Sequence, residues 1–268
     1  MGFASPERGG HALDLQQAES SALAVTGVVQ RYPAGHVVPM HHHRRGHLLY
    51  ALEGVLLVEA DSGQWLLPPT AAVWLRPGVA HSLTATAPVC VHGIFVDQAL
   101  VAALPAQDCV LHISPLAREL IAALVQLPHH PPHAPRDALL GALLVEELKA
   151  VSPLPFYLPW PEDAQMRELC QALVQAPQEQ SSAEDWAQRL AMSSKTLQRR
   201  FLKSTGMNLG QWRQKMRLMA SVELLLQGRP ITQAALESGY ESHSAYSVAF
   251  KKQFGCSPSG FVGMGRGN

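Results

Sequence analysis

The chain has 268 residues, more than one domain usually holds, and 47% of them are apolar, enough to furnish two cores. Lys plus Arg and Asp plus Glu number 21 each, so the chain is neither basic nor acidic as a whole and only its charge distribution is informative. Residues 162–268 carry 13 Lys and Arg against 9 Asp and Glu, a net of +4, and residues 1–161 carry the balancing −4, a modest bias that suits a phosphate-facing C-terminal surface. Cys90, Cys109, Cys170 and Cys256 are scattered without CxxC spacing, which reads as reduced thiols in a cytoplasmic protein. Met1 to Gly10 lacks a basic start followed by an apolar run, and no stretch nears the roughly 20 apolar residues of a membrane span, so secretion and membrane insertion are not expected.

From Ala22 to Val96 the chain reads as short strands. Apolar runs at Leu23–Val29, Leu48–Leu52, Val55–Glu59, Gln64–Leu67, Ala72–Leu75 and Val89–Phe95 are separated by Gly, Pro and Asp at the spacing of a small β-barrel. His41 and His43 fall on one side of an extended strand and His42 on the other. His47 follows them, then Gly54, and later Pro77, Gly78 and His81.

These residues resemble the two motifs of the cupin barrel, in which two His spaced by one residue, a Glu or Gln, and a His from a second strand converge on a cavity. The resemblance covers roughly residues 22–96 and departs from the family at residue 47, where His replaces Glu or Gln. It implies a metal site of His41, His43, His47 and His81, and imidazole donors suit Zn, Ni, Cu or Fe(II). The alternative is a metal-free cavity that takes an organic effector. His36, His92 and His112 read as satisfied barrel or loop histidines, and His129, His130 and His133 as part of a loop. Trp65 and Trp74 read as barrel packing ahead of cavity lining, and Cys90 as an inert buried thiol.

The period changes at Ser114. Leu116, Leu120, Ile121, Leu124 and Leu127 follow helical spacing, as do Leu139, Leu143, Leu144 and Leu148, which predicts two amphipathic helices that cover the barrel or pair with a second copy. Val151–Pro161, dense in proline, reads as a stiff, partly packed linker. Beyond it the pattern is wholly helical, with helices expected near 163–176, 183–190, 194–204, 208–227, 231–238 and 243–254. Ser182 with Asp185 forms a capping-box pattern, Ser193 and Ser242 stand where N-caps are needed, and Gly206, Gly228, Gly239 and Gly255 close helices.

Within this half a helix-turn-helix unit occurs twice. Ser193, Leu197, Phe201, Lys203 and Gly206 recur as Ser242, Tyr246, Phe250, Lys252 and Gly255 at one constant offset. Ala187, Leu190, Leu197 and Phe201 are the expected buried face of the first unit, and Ala235, Leu236, Tyr240, Tyr246 and Phe250 that of the second. Opposite the first lie Lys195, Gln198 and Arg199, flanked by Arg200 and Lys203. Arg bridges guanine O6 and N7 and Gln bridges adenine N6 and N7, so this helix is the expected base reader. The second presents His243, Ser244 and Ser247 beside Val248, with Lys251 and Lys252 for phosphates, and is expected to position more than to specify.

The segments WAQRLAMSSKTLQRRFLKSTG, WRQKMRLMASVELL and ITQAALESGYESHSAYSVAFKKQFGCSP resemble the AraC/XylS transcription regulators across their whole DNA-binding domain. The resemblance implies two helix-turn-helix units joined by one long helix, here about Asn208–Gln227, with Arg217 and Leu224 at its familiar positions. Where the family ends in Pro, an aromatic residue and Arg, this chain has Pro258, Phe261 and Val262. The expected fold is α+β, with a cupin-type effector-binding barrel at 1–113, a helical dimerisation or covering segment at 114–150, the linker at 151–161 and an all-α double helix-turn-helix domain at 162–268. The expected function is sequence-specific regulation of transcription by a cytoplasmic homodimer that binds promoter DNA under control of a metal ion or small effector. The competing expectation is a metal-dependent cupin enzyme, a dioxygenase or isomerase, with a helical accessory domain.

Overall fold

A computed structural model describes residues 15–67, 71–85, 88–151 and 153–266; the N-terminal ten residues considered above lie outside them. The chain divides into two compact units, residues 1–56 with 69–154 and residues 57–68 with 155–268.

The first unit is β-rich. Its main sheet comprises β1 (Val25–Tyr32), β3 (Gly46–Glu53), β6 (Ala71–Leu75), β8 (Val89–Val96), β9 (Cys109–His112) and β10 (Pro153–Leu154), in the order β1-β8-β3-β6-β9-β10. Each adjacent pair for which a register is defined is antiparallel, from Val25↔Val96 at one edge to Pro153↔Leu111 at the other. β2 (Val37–His41) and β7 (His81–Ala85) pair antiparallel in this unit, outside the main sheet. β6 and β8 are buried at every position, because central strands covered on both faces need no polar alternation.

Alternate residues of the main sheet, Leu48, Tyr50, Ala72, Trp74, Ile94 and Val96, pack against Leu120, Ile121 and Leu124 of α2 (Pro115–Leu124) and Leu144, Val145 and Leu148 of α3 (Pro135–Lys149). The short helix α1 (Gln98–Val101) precedes them. Both predicted helices are therefore present and do cover a sheet, yet their leucines divide. Leu116, Leu139 and Leu143 stay exposed at 48%, 68% and 44%. Trp74 is a packing residue, fully buried and donating through Nε1 to the Pro105 carbonyl.

The second unit holds β4 (Leu56–Ala60), β5 (Gly63–Leu67) and β11 (Tyr157–Pro159), in the order β11-β5-β4. The segment expected to be a stiff, partly packed linker also contributes strands β10 and β11. Proline is tolerated there because both strands are short and lie at sheet edges. Trp65, on β5, stacks on Tyr157 at 5.3 Å, also a packing role.

Helices follow: α4 (Ala164–Gln175), α5 (Ala183–Arg189), α6 (Ser194–Thr205), α7 (Leu209–Leu226), α8 (Ile231–Glu237), α9 (His243–Phe254) and α10 (Pro258–Arg266). Ser182 and Asp185 complete the capping box, and Ser193 and Ser242 accept from the backbone N–H three residues on. Gly206 and Gly255 end α6 and α9 in the left-handed region. Trp212 of α7 is fully buried, meets Phe201 edge-on at 6.0 Å and donates to the Pro159 carbonyl.

Arg217, midway along α7, is the main tie of this unit. Its guanidinium donates to the carbonyls of Pro177, Glu179 and Gly239 at 2.8, 2.9 and 3.2 Å, joining the segment after α4 to the turn after α8. Gly239 is held at φ +82°, and a Cβ there would come within 2.9 Å of that guanidinium and 3.0 Å of the Pro177 carbonyl, whereas one at Gly206, φ +70°, would meet nothing within 4 Å. Gly206→Ala is therefore expected to cost only the backbone strain, about 1 kcal/mol. Gly239→Ala adds a clash and should cost at least about 2 kcal/mol. Urea unfolding of both variants checks the difference, and equal losses would remove Arg217 from the explanation.

Candidate functional site

The antiparallel register of β2 and β7 sets His41 directly opposite His81. His43 lies two residues beyond His41, on the same side, and is 7% exposed while the intervening His42 is open to solvent. The ligand atoms of His41, His43 and His81 all fall within 4.8 Å of one another. Ring centroids are 4.9 Å apart for His41 and His43, 4.4 Å for His41 and His81, and 5.4 Å for His43 and His81.

The hydrogen bonds around these rings fix what their inner nitrogens can do. His41 Nδ1 lies 2.8 Å from the Pro39 carbonyl and His81 Nδ1 lies 2.9 Å from the Val79 carbonyl. A carbonyl only accepts, so both rings carry their proton on Nδ1 and keep the lone pair on Nε2. His43 Nδ1 is 3.1 Å from the carboxylate of Glu19, which also accepts from the Arg44 N–H at 3.0 Å. The Nε2 atoms of His43 and His81 are buried without a partner. Outer nitrogens held by carbonyl or carboxylate and inner lone pairs left free is the arrangement that orients imidazoles for a metal ion.

Burial pushes the His43 pKa down to about 4, with His41 and His42 adding repulsion, and burial likewise takes His81 down to about 4 against the opposing Val79 bond. These rings are neutral at neutral pH, as a ligand nitrogen requires.

His47, the fourth residue predicted for the cluster, is placed beside the trio and not within the close set. Its ring stacks on Phe95 at 4.4 Å, lies 4.6 Å from His43 and 5.6 Å from His81, and has both nitrogens buried and unbonded. Gly93 on β8 makes the room, since a Cβ there would sit 3.1 Å from His47 Nε2. Glu19, from the short helix at residues 15–20, was not visible as a site residue: nothing in its spacing links it to His43. The acids nearest the motifs in sequence serve elsewhere, with Glu53 exposed at the end of β3 and Glu59 bonded to Gln64. His36 stacks on Tyr32, His92 packs near Tyr50 and His112 is exposed, all outside the cluster.

In the helical unit, α5 with α6 and α8 with α9 form the two repeated units. Leu197, Phe201, Tyr246 and Phe250 are fully buried, as the repeat requires. Lys195, Gln198, Arg199 and Lys203 stand exposed on α6. Arg200 does not join them. Its Nε and Nη2 bond both oxygens of Asp163 at 2.8 Å, and Nη1 donates to Gln165 at 2.7 Å. Asp163 is the N-cap of α4, and although burial opposes it, the Arg200 bonds hold its carboxyl below the usual range.

On α9, His243, Ser244, Lys251 and Lys252 are exposed, Ser247 is half-buried, and Val248 is 71% exposed. Leu236, expected inside, is 61% exposed. Ala234 and Ala235 fill the buried face of α8 instead, and one further residue rotates the side chain about 100° outward. Pro258 opens α10, and Phe261 joins the aromatic cluster with Phe250 at 5.6 Å.

The two buried members of the trio, His43 and His81, have a consequence for the protein kept in chelator. A His whose folded pKa is depressed stays neutral in the fold while the unfolded chain takes up a proton below pH 6.5. Stability is then full above pH 6.5 and falls as the pH drops towards 4. Urea midpoints across that window should decline, and less steeply in His81→Gln; a flat profile would show that these rings are not buried neutral.

Comparison with known proteins agrees with both halves. The profile of the AraC-like ligand binding domain matches residues 23–209, and that of the helix-turn-helix domain matches residues 186–263. The HTH-type transcriptional regulator NimR of Escherichia coli is 33% identical over 226 residues, covering 84% of this chain and 82% of that protein. The regulatory protein SoxS of Escherichia coli is 38% identical over 76 residues, 28% of this chain and 71% of SoxS. ToxT from Vibrio cholerae aligns structurally over 91% of this chain and 99% of its own, with 14% identity and a TM-score of 0.40. The two family profiles, NimR and SoxS point to a transcription regulator and not to an enzyme. The chain belongs to the AraC/XylS family of transcription regulators, with an AraC-like ligand-binding domain ahead of its helix-turn-helix domain.

Proposed function

We propose that this regulator is controlled by a divalent transition metal, Zn, Ni, Cu or Fe(II), held in a cupin-type barrel by its clustered histidines. The observation that carries this reading is the set of three imidazoles whose outer nitrogens are engaged and whose ligand atoms converge within 4.8 Å. Three nitrogen donors of borderline softness suit those ions over Mg or Ca. His41, His43 and His81 form the core of the site, and His47 is its fourth proposed ligand. Glu19 is a positioning residue for His43. A bound ion supplies charge and fixed geometry, and it controls DNA binding only so far as it favours one protein arrangement over another. An organic effector in the same cavity is the second reading, favoured by the unbonded nitrogens of His47.

On the DNA side, Lys195, Gln198 and Arg199 read bases, and Lys203, Lys251 and Lys252 hold phosphates. His243, Ser244 and Ser247 let α9 lie close in the groove, beside Val248. Arg200 acts through its Asp163 pair, as an anchor of α6 and not as a reader. The 18 residues of α7 span about 27 Å, comparable with the roughly 34 Å between successive major-groove faces. A homodimer through α2 and α3 is proposed on the exposed Leu139 and Leu143, one helical turn apart on α3, and on the exposed Leu116 of α2. The protein would then work in the cytoplasm.

Two experiments test this. Elemental analysis of protein purified without an affinity tag should find about one equivalent of metal per chain, lost in His81→Ala, and promoter affinity should change on chelation. A metal-free preparation with unaltered response would leave only the organic-effector reading. In the second, Arg199→Ala is expected to weaken the specific site by about 1–3 kcal/mol and to relax preference at one base position. Arg200→Ala should lower stability and weaken specific and random DNA alike, and Val248→Ala should hardly alter specificity. Anisotropy titrations on both DNAs check the three.

A further inference from the structure

His43 and His81 lie far apart in sequence, yet both bond the same turn, Arg76 to Val79, between β6 and β7. The Gly78 N–H donates to the His43 carbonyl at 2.8 Å, and the Val79 carbonyl accepts from His81 Nδ1 at 2.9 Å. Pro77 suits the second position of a type II turn and Gly78, at φ +79°, the third, and the Val79 N–H closes the turn on the Arg76 carbonyl at 3.3 Å. The place of this turn therefore sets both the approach of the two histidines and the nitrogen on which His81 keeps its lone pair.

Asp108 holds the turn from outside. The β6–β9 ladder has its last register pair at Trp74↔Cys109. Just beyond it the Arg76 N–H donates to Asp108 Oδ1 at 2.9 Å, and the guanidinium grips both carboxylate oxygens, Nε to Oδ1 at 3.0 Å and Nη2 to Oδ2 at 3.1 Å. The Asp108 side chain is 6% exposed and that of Arg76 48%, so the carboxylate is the fixed half of the pair. Trp74 Nε1, donating to the Pro105 carbonyl at 3.0 Å, ties the same loop to β6 a second time. Two parallel bonds and a backbone donor constrain direction as well as distance, which a single exposed ion pair does not. A buried carboxylate adds little stability over apolar packing, and what this one specifies is the position of the turn.

We infer that Asp108, through Arg76 and the turn it begins, positions His43 and His81 and keeps the His81 proton on Nδ1. Both are positioning residues of the proposed metal centre, a role that rests on the trio being one. Their hold on the His81 tautomer does not depend on a metal.

Two measurements on the full-length protein test this: zinc titrated against a competing chelator, and the His81 tautomer read from ring nitrogen shifts in the metal-free state. The Nδ1–H form should dominate in the unaltered protein. Asp108→Ala should weaken zinc about tenfold and mix in the Nε2–H form. Arg76→Gln, on the exposed partner, should do the same to a smaller degree, and it decides the matter if Asp108→Ala does not fold. Val110→Ala opens a cavity in the same strand, so it should lower the urea midpoint and leave zinc affinity and tautomer as they are. An unchanged tautomer, an unchanged affinity in a protein that takes up zinc, or an equal loss in Val110→Ala would each overturn the inference. If the unaltered protein takes up no zinc, the metal reading fails and the tautomer alone decides for or against Asp108.

Discussion

One guanidinium sets the geometry of the helical half. Arg217 spends its donors on three backbone carbonyls from two separate segments. Those carbonyls end helical or turn segments that have no intrahelical partners to offer them. Lys could not replace it, because a point ammonium cannot span donors pointing in several directions. The family resemblance marks position 217, and the structure supplies the reason: α7 is the beam from which both repeated units hang. Tyr246, reaching back to Ser221 at 3.0 Å, fastens the second unit to the same beam.

The two repeated units share a scaffold but not a surface. Their caps, buried aromatics and closing glycines correspond position by position, since packing α6 on α5 and α9 on α8 poses the same problem twice. What they expose is unconstrained by that problem and has diverged. The first shows three long polar side chains, Lys195, Gln198 and Arg199, while the second shows a small hydroxyl, an imidazole and the apolar Val248. Arg200 illustrates the limit of reading exposure from a helical wheel. It lies next to Arg199, yet its partner Asp163 lies far upstream, and only the fold brings the carboxylate to it.

Much of the helical half was legible because its signals are local. Ser193 and Gly206 bracket α6 through bonds within one turn, and Ser242 and Gly255 do the same for α9, so the boundaries could be read to within about a residue. The β-rich half was legible only where strands are long and apolar. β2 is largely exposed and contains Pro39, β9 is four residues long, and β11 lies in a proline-rich stretch, so their strand character comes from the partners they pair with. The His trio was readable from spacing and resemblance together. Glu19 and Gly93 were not, since one reaches His43 across 24 residues and the other matters only by lacking a side chain opposite His47.

The histidine cluster is hard to explain as a stabilising feature. Buried nitrogens left without partners cost roughly 1–3 kcal/mol each, and His43, His47 and His81 contribute several of them against a total stability that for a typical protein is only about 5–15 kcal/mol. Apolar residues of similar size would fill the same volume without that cost. Moreover the neighbouring structure holds the rings in this state: two backbone carbonyls and one carboxylate keep the protons on the outer nitrogens, and Gly93 keeps space for the fourth ring. Support that specifies a proton position has no packing value. It suits a group that accepts lone pairs, and on that ground the cluster is proposed as a metal site.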